Sequence, residues 1–546
     1  MGKTWVSRWR EDEQLKPVII AASLFFSLTL FFAVHRYYSF YSNTDHGIFN
    51  QVFWNSLHGH FFESTLSSSL SANVIHNGEI PSVSYHRLGQ HFTPALLLWL
   101  PLYALFPSAA TLNVLQVILM TAGGIVLYFL AKHYLPPQIA VMIAWSYYGA
   151  NAVIGPTLGN FFDLSQLPLF AFGLLLAHAK RCWWLFWVLA ALILAIREDA
   201  GVILFSLGVY FVFRDKSPQI GLAVCTISLA YMLALTNLIM PLFSDDISKR
   251  FMIERFGHFA THEQASTLEI IWSMISNPWR LLVELVSPIG KKLDYLLSQW
   301  LPLGLIPAVA SAAWLCIAFP LAQLFLQQGD ERFAITIRYA VALIPGLFFG
   351  AIIWWSGHQD KFKPKIRRFW KICLGLSLLF TFTGNPHRAW FFLMPDSFSP
   401  WAYRPLTVQW HHVDQVNTLL AQIPSDASVS ASRYLVPQMS ARRAVLRFPD
   451  VQFRDDQGNV QSVEYIIVDL WQLNPSQSVI KKERREVAYS VEHLDKLINS
   501  REYGVMGFKD DALLMKKGVE SESQAMMGWL EFRQKIDTLV KGLVEG

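Results

Sequence analysis

The chain has 546 residues, 53% of them hydrophobic and 14% aromatic, with a mean hydropathy of +0.32. Only 16% are charged, against roughly 25% in ordinary soluble proteins, which excludes a soluble globular protein and predicts an α-helical polytopic membrane protein. The net charge of +5 comes from basic residues in short clusters between apolar runs, so it marks topology rather than a nucleic-acid surface.

The first apolar run extends from Pro17 to about Val34 and follows Lys3, Arg8, Arg10 and Lys16. It is too long for a signal-peptide core and no small-residue cleavage site follows. We therefore expect an uncleaved signal anchor, a first span over about 17–38 and a cytoplasmic N-terminus. A polar first extracytoplasmic loop follows, over about 39–108. Within it, Ile48, Val52 and Asn55 share one helical row and Phe49, Phe53 and Leu57 lie beside it, predicting a helix in the interface. The run Thr93–Pro107 is short and broken by Pro101. Whether it crosses stays open; a juxtamembrane helix keeps the later basic clusters inside and is preferred.

Further spans are expected at roughly 109–131, 138–156, 164–179, 183–197, 199–213 and 219–243. The turns with Lys132 and His133, Lys180 and Arg181, and Arg214 and Lys216 then face the cytoplasm, while NFFDLSQ and AIREDAG face outward. Residues 244–299 form a second large outer loop with amphipathic pieces such as LEIIWSMISNPWRLLVELV. Trp300–Leu326, interrupted by Pro302, Pro307 and Pro320, predicts a tight pair of short helices. Spans at about 336–356 and 369–384 flank the most basic stretch, His358–Lys371, for about eleven spans in all.

From residue 385 the composition becomes that of a soluble domain. HHVDQVNTLLAQI, VEHLDKLINS and the stretch after Ser521 predict helices; ASVSAS, VEYIIVDL and ALLMKK predict strands. Residues 385–546 are therefore expected to form an extracytoplasmic α/β domain with a partly parallel sheet. The four cysteines, Cys182, Cys225, Cys316 and Cys373, lie in or beside apolar runs without metal spacing, so buried thiols are expected and no disulfide framework.

The candidate site residues all fall on the predicted outer side. Asp45 would accept a proton from an acceptor hydroxyl as general base; by spacing alone, a helix N-cap is favoured instead. Arg87 and His91 in YHRLGQHF suit a lipid phosphate, or interfacial anchoring. Asp163 either caps the following helix or lines a polar cavity. Arg197, Glu198 and Asp199 interrupt two apolar runs. They form either a phosphate-binding arginine held by carboxylates or a wet, self-paired hairpin. Asp469 ends a strand where an open α/β sheet places nucleotides, but no Gly-rich loop accompanies it, so a structural role is preferred.

Taken together, TDHGIFNQVFWNSLHG, RLGQHFTPALLLWLPLYALFPS, FFDLSQLPL, AIREDAG, IPSDASVSASRYLVPQMSARRAVLRFPD and VEYIIVDL resemble, in order and spacing, a family of predicted polytopic membrane proteins defined by a domain of unassigned function. That family is similar in architecture to the GT-C glycosyltransferases. The resemblance implies a sugar taken from a polyprenyl-phosphate donor and passed, with inversion, to an extracytoplasmic acceptor, in a bacterial inner membrane. It implies Asp45 at the acceptor and Arg197, Arg87 or His91 at the departing phosphate. Many GT-C enzymes carry two acidic residues near the first loop. Here Asp45 is followed by His46 and Gly47, and Glu63 and Glu79 are loosely placed, so neither a metal nor another cofactor is assigned. Two other classes stay open: a transporter or lipid-handling protein using the 197–199 triplet as a coupling site, and a non-catalytic scaffold.

Overall fold

A computed structural model describes residues 13–74, 79–215, 217–244, 255–260, 267–399, 401–473 and 481–544. Lys3, Arg8, Arg10, Lys216 and parts of the 244–299 loop lie outside the described residues. The chain divides into two compact units. One holds residues 1–31, 88–99 and 113–387; the other holds 32–87, 100–112 and 388–546. Residues 32–87 and 100–112 group with the C-terminal portion, and 88–99 with the helical unit.

The first unit is helical. Among the described residues, four helices are long and apolar enough to cross a membrane: Leu15–Tyr38, Ala109–Tyr134, Pro218–Leu242 and Arg338–Ser356. Shorter apolar helices cover Asp163–Ala179, Trp183–Leu194, Ala200–Phe213 and Ser311–Leu326. Proline at the first or second position opens Pro137–Tyr148, Leu167–Ala179, Pro218–Ala234, Ile344–Ser356 and Pro364–Thr383. Its missing N–H falls among donors that have no intrahelical acceptor, and its φ is already helical. Gly149, Gly357 and Gly384 stand just past helix ends, while Lys132, Lys180 and Arg214 sit at or next to helix C-termini, where the dipole favours cations. Small residues let helices touch: a Cβ on Gly350 would lie 2.2 Å from the Ala313 Cα, so Ile344–Ser356 and Ser311–Leu326 meet at backbone distance.

Three expected elements differ. The apolar run 138–156 is two helices, Pro137–Tyr148 and Asn151–Leu158, broken at Gly149; a Cβ there would meet a Leu374 side chain at 2.5 Å. Trp300–Leu326 holds a 3-10 turn, Leu301–Leu303, then a single helical turn, Ile306–Val309, and then Ser311–Leu326, which runs through Pro320. The last apolar helix begins at Pro364 and so takes up half of the basic cluster. The run after Thr93 forms a 3-10 segment, Pro94–Trp99, and a short helix, Leu100–Leu105, below the roughly 20 residues a span takes. Cys316 and Cys373 are buried, Cys182 and Cys225 half-buried, and all four are free.

The second unit is built on a five-stranded sheet, in the order Val445–Arg447, Val429–Ala431, Tyr465–Asp469, Ala512–Lys517, Tyr503–Lys509. The first three strands are parallel and the last two antiparallel. Alternate residues serve opposite faces. Ile466 and Val468 pack with Val487, Val491, Trp529 and Phe532 of helices Lys481–Ser500 and Ser523–Val544. Tyr465 and Ile467 pack with Val413, Val416 and Leu419 of helix Leu406–Leu420, and with Phe40, Ile48 and Leu66. The strands and helices expected after residue 385 are present. Strands 445–447 and 503–509 were not foreseen, because the first is three residues long and the second is interrupted by Gly504 and Gly507, beside a bulge.

Asp469 is buried and structural. It accepts from His412 Nε2 at 3.1 Å, while His412 Nδ1 meets Asp510 at 2.9 Å and the ring stacks on Trp471 at 4.1 Å. Burial alone would lower the His412 pKa. The two carboxylates outweigh burial and hold it at about 9, above the unfolded value near 6.5. The resulting stabilisation is complete below that unfolded value and is lost as pH rises through about 9. Thermal melts of the full chain should therefore fall between pH 7 and 10 with a step that is missing in His412→Asn; an unchanged step would remove this assignment.

Candidate functional site

In the first unit a set of ionisable side chains collects where four chain segments meet. Helix Trp183–Leu194 ends, Arg197–Glu198–Asp199 forms the turn, and helix Ala200–Phe213 begins. Arg197 is 5% exposed, Glu198 and Asp199 are half-buried, and the triplet pairs within itself. Arg197 Nε and Nη2 donate to the two Asp199 oxygens, each at 2.6 Å, and Nη1 lies 3.6 Å from Asp163. This is the planar, two-pronged pairing that guanidinium favours. Arg255 approaches Asp199 from a third segment at 3.9 Å.

Glu198 faces the other way. Its Oε1 meets His91 Nδ1 at 2.8 Å and its Oε2 accepts from the Phe92 N–H at 3.1 Å. The passage around His91, between two 3-10 segments, is itself pinned to this turn, since Ala95 N–H donates to the Ala195 carbonyl at 3.0 Å. Asp163 opens a 3-10 turn and accepts from its neighbour Leu164 N–H at 2.8 Å. Gln116, from the middle of an apolar helix, holds the approach to that turn: it donates to the carbonyls of Pro156 and Thr157 and accepts from Phe162 N–H. Buried Thr93 and Ser165, close in sequence to His91 and Asp163, have hydroxyls without a hydrogen-bond partner among the described residues.

Burial pushes the Asp199 carboxyl up, but the Arg197 charge and hydrogen bonds outweigh it and bring it down to about 2. Glu198 is likewise raised by burial, then carried below its ordinary value by His91. Asp199 and Glu198 therefore stay ionised at neutral pH.

Asp45 and Arg87 belong to the second unit. Helix Thr44–Leu57 does not use Asp45 as its cap: Asn43 is the cap, its side chain accepting from the Asp45 N–H at 3.1 Å. Asp45 is in the first turn, where the helix dipole favours a carboxylate, and it is half-buried. The helix was expected to lie in the interface; instead, residues 46–53 are all buried. Asn50 bonds Ser440 and Tyr103, Gln51 bonds the carbonyls of Arg442 and Arg443, and His46 meets the Ala109 carbonyl at 2.8 Å. Burial lowers the His46 pKa to about 4, so that neighbour of Asp45 is neutral. Arg87 is 4% exposed, lying 4.8 Å over the Phe49 ring and 3.5 Å from Ser67 Oγ.

The sequence profile of a family described as "Predicted membrane protein (DUF2079)" matches residues 36–514. The chain belongs to this family. Its fold is similar to that of ArnT from Cupriavidus metallidurans, solved in a crystal structure bound to undecaprenyl phosphate, with a TM-score of 0.51 and 9% sequence identity. The likeness covers 90% of this chain and 97% of ArnT. No curated protein matches the chain in sequence.

In this DUF2079 member, the 197–199 triplet, His91 and Asp163, all marked in the sequence, lie in one cluster that Arg255 and Gln116 join without a motif to mark them. Arg255 stands in a mixed-charge loop with no motif, and only folding brings it to Asp199. Among the described residues, the carboxylates of this cluster are already answered by cations, which does not suit a metal. Asp163 and Asp199 are answered by Arg197, and Glu198 by His91. Elsewhere His60, Glu63 and Asp456 bring ligand atoms within 4.8 Å of one another. Arg443 already contacts both carboxylates there, at 2.6 Å from Glu63.

Proposed function

We propose that the protein is a GT-C-type glycosyltransferase that takes a sugar from a polyprenyl-phosphate carrier. The observation that carries this reading is the fold likeness, over nearly the full length of both chains, to a protein crystallised with undecaprenyl phosphate. The buried ion cluster at helix ends adds to it, since charge at such depth in an apolar helical unit is rarely kept without a role. The acceptor hydroxyl would lose its proton to the Asp45 carboxylate as its oxygen bonds the anomeric carbon. The bond from that carbon to the phosphate oxygen would break, and the lipid phosphate would leave with the electron pair, inverting the sugar. The C-terminal α/β portion would help bind the acceptor, in the outer leaflet of a bacterial inner membrane.

The donor phosphate falls to His91 and Arg255 rather than to Arg197. Arg197 spends two of its donors on Asp199, so it serves as a positioning residue. Arg255 has a side chain 22% exposed, 3.9 Å from Asp199. The test is turnover of undecaprenyl-phosphate pentose and hexose donors by the full chain in nanodiscs, followed by mass spectrometry of the released lipid phosphate. Arg255→Gln should raise KM for the donor by about 10- to 100-fold, the loss of one charge-assisted phosphate contact of roughly 1.5–3 kcal/mol. Undiminished donor use in that variant would remove Arg255 from the phosphate site. Uptake of a substrate with no lipid phosphate released would favour a transporter.

A further inference from the structure

In the second unit the chain leaves two neighbouring parallel strands in opposite directions. After Val429–Ala431 it returns to Val445–Arg447 on one side. After Tyr465–Asp469, on the other side, it enters helix Lys481–Ser500 and goes on to Tyr503–Lys509 at the far edge of the sheet. The two connections part between the carboxyl ends of Val429–Ala431 and Tyr465–Asp469. In an open α/β sheet such a switch in direction leaves a crevice where ligands bind. Ser432 ties the two strand ends together: its Oγ accepts from the Asp469 N–H at 3.0 Å, and its N–H donates to the Ile467 carbonyl at 2.9 Å.

Asp469 itself is already engaged, one carboxylate oxygen by His412 and the other by the Trp471 N–H at 2.9 Å. What the chain places at this end is positive charge. Arg447 is the last residue of its strand, in register with Ala431, and Arg433 follows just beyond Ala431. Arg447 Nη2 donates to Glu486 Oε1 at 2.8 Å. Arg433 Nη1 stands 3.9 Å from Glu486 Oε2, too far for a hydrogen bond. Both guanidiniums thus converge on one carboxylate, and no other carboxylate pairs with either among the described residues. The Arg433 and Arg447 side chains are 28% and 43% exposed, so a ligand can reach them. Arg433 lies 5.4 Å over the Tyr434 ring. Buried Arg36, which donates to Ser42 Oγ at 3.2 Å, is within Coulombic range of Arg433. Three guanidiniums therefore gather about one carboxylate.

Glu486 comes from near the start of helix Lys481–Ser500, whose Val487 and Val491 pack with Leu446, Ile466 and Val468. The helix runs back along the sheet from the carboxyl end of the strands, so its positive end is turned to the same crevice.

We propose that this crevice is a phosphate-binding site, with Arg433 and Arg447 as two forks on the phosphate oxygens and Glu486 as the carboxylate that holds them in place beforehand. Guanidinium forks match pairs of phosphate oxygens, and the excess of cations favours an anion over a neutral ligand. The phosphate is that of an anionic lipid headgroup or of a soluble phosphate; the recognising chemistry is the same. The site belongs to the sheet unit, and the proposal does not rest on glycosyl transfer.

It is tested on the full chain in nanodiscs by phenylglyoxal modification of arginines, read residue by residue by mass spectrometry. In phosphatidylcholine discs, millimolar inorganic phosphate should protect Arg433 and Arg447 while exposed Arg501 stays reactive; this outcome assigns a soluble phosphate. Protection of the same two residues only in discs containing phosphatidylglycerol assigns the lipid headgroup. Arg433→Gln should raise the amount of the effective probe that half-protects Arg447 by about 10- to 100-fold, as expected when one charge-assisted contact is lost. Glu486→Gln should lower that amount, because a competing carboxylate is gone. The unfolding midpoint of each variant checks that the fold persists, and Arg433→Lys, which keeps the charge without the fork, should fall between. Protection of neither arginine by either probe, or half-protection unchanged in Arg433→Gln, would overturn the proposal.

Discussion

Arg197→Met is expected to destabilise the protein by about 3–5 kcal/mol, the range found when one member of a buried ion pair is removed. The cost comes less from the lost attraction than from what stays behind. Asp199 keeps an ionised carboxyl at about 2 because Arg197 gives it two short hydrogen bonds, and Asp163, 2% exposed, faces the same guanidinium. With methionine in place, Asp199 would have to bind a proton or draw in water, and either route consumes stability. Arg197→Lys should lie between, since an ammonium offers a point charge without the fork. The double variant Arg197→Met/Asp199→Asn should recover part of the loss, because it leaves one fewer uncompensated carboxylate. The measurement is the unfolding midpoint of the full chain in nanodiscs. A midpoint unchanged in Arg197→Met would contradict the buried, paired description of this turn.

Asp45→Asn should reduce sugar transfer by at least about 100-fold while expression and folding persist. General-base assistance contributes roughly 10²–10⁴ in rate, and an amide cannot accept the proton. The fold should survive because Asn43, not Asp45, caps helix Thr44–Leu57, and because that helix is held by Asn50, Gln51 and His46. Asn43→Ala provides the contrast. It should cost about 1 kcal/mol of stability, as lost N-caps do, and leave turnover per folded molecule nearly intact. Full activity in Asp45→Asn would sink the catalytic assignment. Equal losses of stability in both variants would return Asp45 to a structural role in the first turn.

Much of the architecture was legible in the residues because it rests on local signals. Apolar runs, proline near helix starts and cations at helix ends placed most of the helices between Leu15 and Thr383 close to where they stand. Short apolar runs in VEYIIVDL and ALLMKK marked two central strands. Strand Tyr503–Lys509 was missed because its glycines carry no pattern. A Cβ on Gly504 would come within 2.2 Å of the Val519 carbonyl oxygen, so its glycine answers to a distant neighbour rather than to the strand itself.

The site residues divide in the same way. Their chemistry could be read from the chain: an isolated carboxylate after the first apolar run, and a charge triplet between two others. Their states could not. Asn43 rather than Asp45 became the cap through backbone geometry one turn wide. Arg197 became a buried, two-pronged partner of Asp199, and Arg255 reached that carboxylate from a loop without a motif. By itself, then, the sequence determined a polytopic helical membrane protein of this family, a C-terminal α/β portion and the residues able to do chemistry. Only the tertiary structure decided that residues 32–87 pack with the C-terminal sheet, and which cation answers which carboxylate. Hydrophobic patterning is local and repeats along the chain, whereas the pairing of buried charges depends on which distant segments folding brings within hydrogen-bond reach.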